Sequence, residues 1–162
     1  MQPSQLLFDI LESFEKCELV AYQDDAGIWT IGWGTVYYPD GSTVKEGDTC
    51  TLEQANSYLT SHLQGLISHL NATTPATILQ PEFDALLDLC YRAGQGAWDG
   101  SSLKKQVNSN SEDYATITDD FMMWVKEHRD GVLVTSPGLV RRAKCESYLY
   151  RNGVNAPNFF NN

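Results

Sequence analysis

Between residues 19 and 44 the hydrophobic pattern stops repeating like a helix and breaks into short β-type runs separated by turns. Asp24-Asp25-Ala26-Gly27 and Tyr38-Pro39-Asp40-Gly41 carry turn chemistry, and Ile28–Gly34 between them is rich in β-branched and aromatic side chains. On either side the helical period holds. Ahead of it, Leu6, Leu7, Ile10, Leu11 and Phe14 follow a Pro3-Ser4 start. Behind it, Thr51-Leu52-Glu53-Gln54 fits a capping box and opens a helix whose apolar positions are Ala55, Tyr58, Leu59, Leu63, Leu66, Ile67 and Leu70. A small antiparallel sheet set between long helices confines the chain to the α+β class, mostly α.

The remainder reads as helical. Asn71–Pro81 is a loop marked by Pro75 and Pro81, and Phe83, Leu86, Leu87, Cys90 and Tyr91 read as a buried helix stopped by Gly94 and Gly96. Ser101-Ser102-Leu103 starts a short helix, and Ala115–His128 carries Phe121, Met122, Trp124 and Val125 as a further helical run. A last helix begins at Gly138 and runs through Leu149 to a stop at Asn152-Gly153. The expected organisation is one domain over residues 1–162. Within it, an N-terminal lobe with a small sheet spans about 15–50 and a linking helix about 52–70. A helical lobe over about 71–162 packs with the first helix.

Charge narrows the partners. The net charge is −10, and the imbalance is local: residues 1–90 hold 13 acids against 2 bases, whereas 91–162 hold 8 acids and 9 bases. An acidic N-terminal half argues against nucleic acid and anionic membrane. No apolar run reaches the roughly 18 residues of a membrane span, so no membrane insertion is expected. The start, Met1-Gln2-Pro3-Ser4-Gln5-Leu6-Leu7-Phe8-Asp9, lacks a basic region and does not read as a signal peptide. Cys17, Cys50, Cys90 and Cys145 are widely spaced without a CxxC pair, and His62, His69 and His128 lack ligand spacing, so no metal and no cofactor are expected. An even cysteine count allows two disulfides in an oxidising compartment, Cys17 with Cys50 and Cys90 with Cys145, or four small core residues in a reducing one.

Glu15, Asp24 and Thr30 are the candidate catalytic residues. Glu15 follows Leu11 by four residues and projects beside the buried stripe of the first helix, where partial desolvation favours the protonated acid. Asp24, at the edge of a polar turn, is expected to stay ionised. Two carboxylates in different surroundings divide acid and base roles at one pH, which is what cleavage of a glycosidic bond requires. The Thr30 hydroxyl holds a water or orients Asp24. The alternative is that an acidic chain shows such spacings by chance.

The surroundings of these residues resemble the phage-type lysozymes, glycoside hydrolase family 24. Members of that family carry a Glu at the end of the first helix, an Asp nine residues on and a Thr six further, in a hairpin of the form Thr-Ile-Gly-x-Gly. Here the hairpin is Thr30-Ile31-Gly32-Trp33-Gly34. Phe121 and Trp124 match a Phe-x-x-Trp, and Gly138-Leu139-Val140-Arg141-Arg142 matches a terminal Gly-Leu-x-x-Arg-Arg. The likeness spans roughly residues 6–153. It implies a lysozyme-like two-lobe fold with a cleft between lobes, acting as a muramidase on the β-1,4 MurNAc–GlcNAc linkage of peptidoglycan glycan strands. By carry-over Glu15 is general acid, Asp24 the base toward a water that Thr30 helps to place, and Arg142 a support for the catalytic Glu. Val36, Tyr91 and Ser102 match substrate-contact positions.

Where the family often reads Phe-Asn-x-Gly, this chain has Tyr91-Arg92-Ala93-Gly94, and Arg92 is expected to alter subsite contacts. The expected setting is a monomeric phage endolysin, made in the cytoplasm and released to the wall by a holin. An antibacterial effector delivered by a secretion machine, with an immunity protein as partner, is the alternative. An inactive glycan-binding module and a glycosidase of chitin-like polymers are the other rivals.

Overall fold

The computed structural model describes residues 1–24, 26–129 and 131–153. Its elements in chain order are α1 (Gln5–Phe14), β1 (Glu18–Gln23), β2 (Trp29–Gly32), α2 (Leu52–Thr73), α3 (Gln80–Ala93), α4 (Gln95–Asp99), α5 (Ser102–Asn108), α6 (Tyr114–Phe121), β3 (Lys126–Arg129), β4 (Val132–Thr135) and α7 (Pro137–Asn152). They form an α+β, mostly α, fold with two small antiparallel ribbons. Two compact units are distinguished, one of residues 9–65 and one of residues 1–8 with the chain from 66 onward.

In the first unit, β1 and β2 pair antiparallel with Glu18 opposite Gly32, Tyr22 opposite Thr30 and Gln23 opposite Trp29. The register shifts between Glu18 and Tyr22, so β1 bulges there, bending a strand next to the residues of interest. Its other edge is occupied: Val20 bridges Thr49, Ala21 N–H donates to Asp48 O (2.9 Å) and Cys50 N–H to Leu19 O (2.9 Å). Beyond β2 the chain reverses tightly, with Ile31 and Thr35 exchanging backbone hydrogen bonds of 2.9 and 2.8 Å. Gly32 sits in the left-handed region at φ 62°, and a Cβ there would lie 3.0 Å from Cβ of Ala55 on α2. The Trp33 indole N–H reaches Asn56 Oδ1 (2.7 Å) on the same helix. The expected capping box of α2 is present: Thr51 Oγ1 accepts from Gln54 N–H (3.1 Å), and Gln54 Oε1 accepts from Thr51 N–H (2.8 Å). Ile10, Leu11, Ile31, Val44, Ala55, Leu59 and Leu63 are buried in this unit.

In the second unit α3 packs along α7, with Phe83, Leu86, Leu87, Leu89, Trp98, Leu103, Phe121 and Leu149 fully buried. Three boundaries differ from expectation. Helix α2 continues to Thr73, which shortens the expected loop. Gly94 does stop α3, at φ 85°, but Gly96 lies inside the short α4. The run expected as helix over Ala115–His128 ends at Phe121; one 3-10 turn over Met122–Trp124 leads into the β3–β4 hairpin. The helical lobe therefore carries a ribbon of its own.

Alanine at Gly32 meets both the left-handed backbone and the Ala55 methyl. Gly32→Ala is expected to lower stability by about 2–4 kcal/mol in urea unfolding. An unchanged midpoint would show that β2 and α2 do not depend on this close approach.

Candidate active site

Glu15 stands one residue past the end of α1, and its N–H donates to Leu11 O (2.8 Å), so the helix's last turn sets its position. Its side chain is half-buried. Lys16, exposed beside it, pairs with Glu18, whose carboxylate raises the lysine pKa.

Asp24 closes the turn between β1 and β2. Its Oδ1 accepts from Ala26 N–H and Ile28 N–H, both at 2.9 Å, while its own N–H donates to Ile28 O (3.0 Å) and its carbonyl accepts from Gly27 N–H (2.8 Å). This is an Asx turn, for which Asp is suited because its short carboxylate reaches the amides that follow it. Thr30 is buried on β2, and its hydroxyl donates to Ile28 O (3.1 Å). The expected link from Thr30 to Asp24 is thus indirect: Ile28 offers its N–H to Asp24 and its carbonyl to Thr30.

Tyr22 lies on the same ribbon, and its phenol pKa is raised, first by burial and then by the negative charges of Asp24 and Glu15. The geometric link is to Thr30, which Tyr22 faces across the ribbon, and Asp24 follows Tyr22 by two residues. Sequence reasoning passed over Tyr22; its place two residues before Asp24 in an alternating strand was the available signal. Val36 is half-buried just beyond the tight reversal, and its carbonyl accepts from Val44 N–H (2.9 Å).

The other candidates lie on the helical unit. Tyr91 is half-buried, with the Arg142 guanidinium 5.9 Å from its ring centroid. Arg142 is buried and forms a two-pronged ion pair with Asp88, Nε to Oδ2 at 3.0 Å and Nη2 to Oδ1 at 2.7 Å. Ser102, exposed at the start of α5, donates to Oδ1 of buried Asp120. Oδ2 of Asp120 is buried without a hydrogen-bond partner.

Arg92 departs from expectation. Instead of reaching toward substrate, its guanidinium is 5% exposed and grips Glu146 on α7, Nε to Oε1 at 2.6 Å and Nη2 to Oε2 at 2.7 Å. Its Nη1 donates to Trp124 O (2.6 Å). Burial raises the Glu146 pKa, the Arg92 charge opposes the rise, and the nearby Asp88 carboxylate adds to it. Two guanidiniums and two carboxylates thus share the α3–α7 interior. Arg92→Met strands Glu146 without its cation and is expected to cost about 3–5 kcal/mol in urea unfolding. Adding Glu146→Leu to that variant is expected to recover most of the loss; a double variant no better than the single one would refute the pairing.

Among the described residues no group of three or more His, Cys, Asp or Glu is arranged to hold a metal ion, and no described helix is long and apolar enough to cross a membrane. What the first unit offers is a half-buried carboxylate on a helix end, a second carboxylate oriented by amides, and a hydroxyl beside it. That set suits acid–base hydrolysis.

Comparison with known proteins points the same way. The profile of the phage lysozyme family matches residues 12–146. The endolysin of Acyrthosiphon pisum secondary endosymbiont phage 1 is 30% identical over 143 residues, covering 88% of this chain and 93% of its own. The endolysin from Escherichia coli O157:H7 phage FAHEc1 superposes with a TM-score of 0.87 at 35% identity, covering 97% of this chain and 98% of that one. The muramidase domain of SpmX from Asticaccaulis excentricus gives 0.77 at 25% identity, covering 92% and 97%.

Proposed function

Because this chain belongs to the phage lysozyme family, we propose that Glu15, Asp24 and Thr30 divide the hydrolysis of a glycosidic bond between them. The chain is a peptidoglycan-degrading muramidase, a glycoside hydrolase acting at the cell wall, and its target is the β-1,4 linkage between MurNAc and GlcNAc.

In this reading Glu15 protonates the oxygen that leaves, and Asp24 takes a proton from the attacking water. The amides of Ala26 and Ile28 aim the Asp24 carboxylate. Thr30 spends its proton on Ile28 O, so its oxygen is left to accept a hydrogen bond from that water. The observation that supports the assignment is the shared anchor at Ile28, whose N–H holds Asp24 and whose carbonyl takes the Thr30 hydroxyl. Val36 is the proposed glycan contact on the first unit. Tyr91 and Ser102 are the proposed contacts on the helical unit, with Arg142 as a supporting residue. Holin-dependent release of a monomer is the proposed route to the wall, in keeping with phage endolysins as relatives.

Turbidity loss of permeabilised Gram-negative cells tests the assignment. Glu15→Gln is expected to cut the lytic rate at least about 100-fold while leaving the thermal midpoint in place. Asp24→Asn is expected to lose a similar factor. A Glu15→Gln protein that still clears cells at a substantial fraction of the wild-type rate sinks the assignment. Mass spectrometry of the fragments is expected to show a hydrolysed MurNAc reducing end.

A further inference from the structure

All four cysteines are free thiols. Cys90 and Cys145 are buried, and burial pushes each thiol up to about 12, so neither is presented to a reagent as a thiolate. Cys17 and Cys50 differ in being half-exposed. They also flank one backbone pairing of residues 9–65, each lying just outside any strand. The Val20–Thr49 bridge and the hydrogen bond from Cys50 N–H to Leu19 O put Cys50 across from Leu19. Cys17 precedes Leu19 by two residues, one residue before β1 begins, so two residues and one backbone hydrogen bond separate it from Cys50. The Cys17 thiol is raised by burial first and by Cys50 next.

We propose that Cys17 and Cys50 form a dithiol site that takes up one intramolecular disulfide from a low-molecular-weight disulfide of the glutathione class. The thiolate of one cysteine attacks a glutathione sulfur, forming a mixed disulfide and expelling one glutathione thiolate. The second cysteine attacks the protein sulfur of that mixed disulfide and expels the other glutathione. Two thiol protons end on two reduced glutathiones, and the protein loses two electrons to the oxidant.

A disulfide needs Cβ atoms about 4 Å apart, and closure brings the two residues to that separation. The segment able to give is 15–17, which lies between α1 and β1 outside any helix or strand. Once closed, the bridge joins the end of α1 to the residue before Thr51, the cap of α2, and constrains the whole sheet segment between them in the unfolded chain. An enzyme made in a reducing compartment and working in an oxidising one thus gains a staple on arrival.

The test is incubation of the folded protein with glutathione disulfide at pH 7 and pH 8, then alkylation and peptide mapping by mass spectrometry. The expected product is a single Cys17–Cys50 linked species, formed up to about tenfold faster at pH 8 because the raised thiols attack only as thiolates. Its thermal midpoint is expected to rise by roughly 5–10 °C and to return on treatment with dithiothreitol. Cys17→Ser and Cys50→Ser are each expected to abolish both bridge and rise, so one variant suffices if the other folds poorly. Glutathione adducts without a bridge, a bridge through Cys90 or Cys145, or a linked species with an unchanged or lower midpoint would overturn the proposal.

Discussion

The approach of Gly32 to Ala55 is the constraint on which the catalytic ribbon rests. A backbone that comes within contact of another helix residue's Cβ leaves no room for a side chain, and the left-handed φ at that point turns the chain back toward Thr35. Together these pin the end of β2 to α2. With that end pinned, the register of Tyr22 against Thr30 is no longer free to slip, and a slip of one residue would exchange the two faces of the strand. Thr30 would leave the buried face, and Tyr22 would no longer stand opposite it.

The acidity of the N-terminal half takes on a structural meaning in these loops. Asp24, Asp40 and Asp48 each accept backbone N–H groups and hold a turn: Asp40 takes Ser42 N–H and its hydroxyl, and Asp48 takes Lys45 N–H and the Tyr38 phenol. The same bonds lower the pKa of Asp40 and Asp48 and, together with burial, push the Tyr38 phenol up to about 12. A depressed carboxylate contributes its stability above its unfolded pKa and loses it as the pH falls through the folded value. The Asp40 and Asp48 turns therefore hold at neutral pH and loosen only in acid below the ordinary carboxylate range. Several of the acids that make the segment so negative are turn clamps, which leaves less of the charge to be explained by a partner.

What could be read from the sequence was local, and what could not depended on distant partners. The capping box at Thr51, the turn at Asp24 and the Gly153 stop, at φ 72°, are written in residues three or four apart. The β3–β4 hairpin was masked by Phe121, Met122, Trp124 and Val125, whose spacing imitates a helix, although Asp130-Gly131 between them and Val132-Leu133-Val134 is a strong hairpin signal. Arg92 was misread for a different reason. Its partner Glu146 is 54 residues away, and nothing near Arg92 in the chain says that its charge turns inward. Period and spacing report what a residue's neighbours are; they are silent on which buried charge meets which.

The way the Asp24 carboxylate is held fits its proposed role as base. Asp24 is fixed by two amide donors and the turn it closes, so its orientation survives as long as the ribbon does. Glu15 follows the last turn of α1, where its N–H donates to Leu11 O. A base that must aim a water gains from a rigid carboxylate, since small misplacements are costly in bond-making steps.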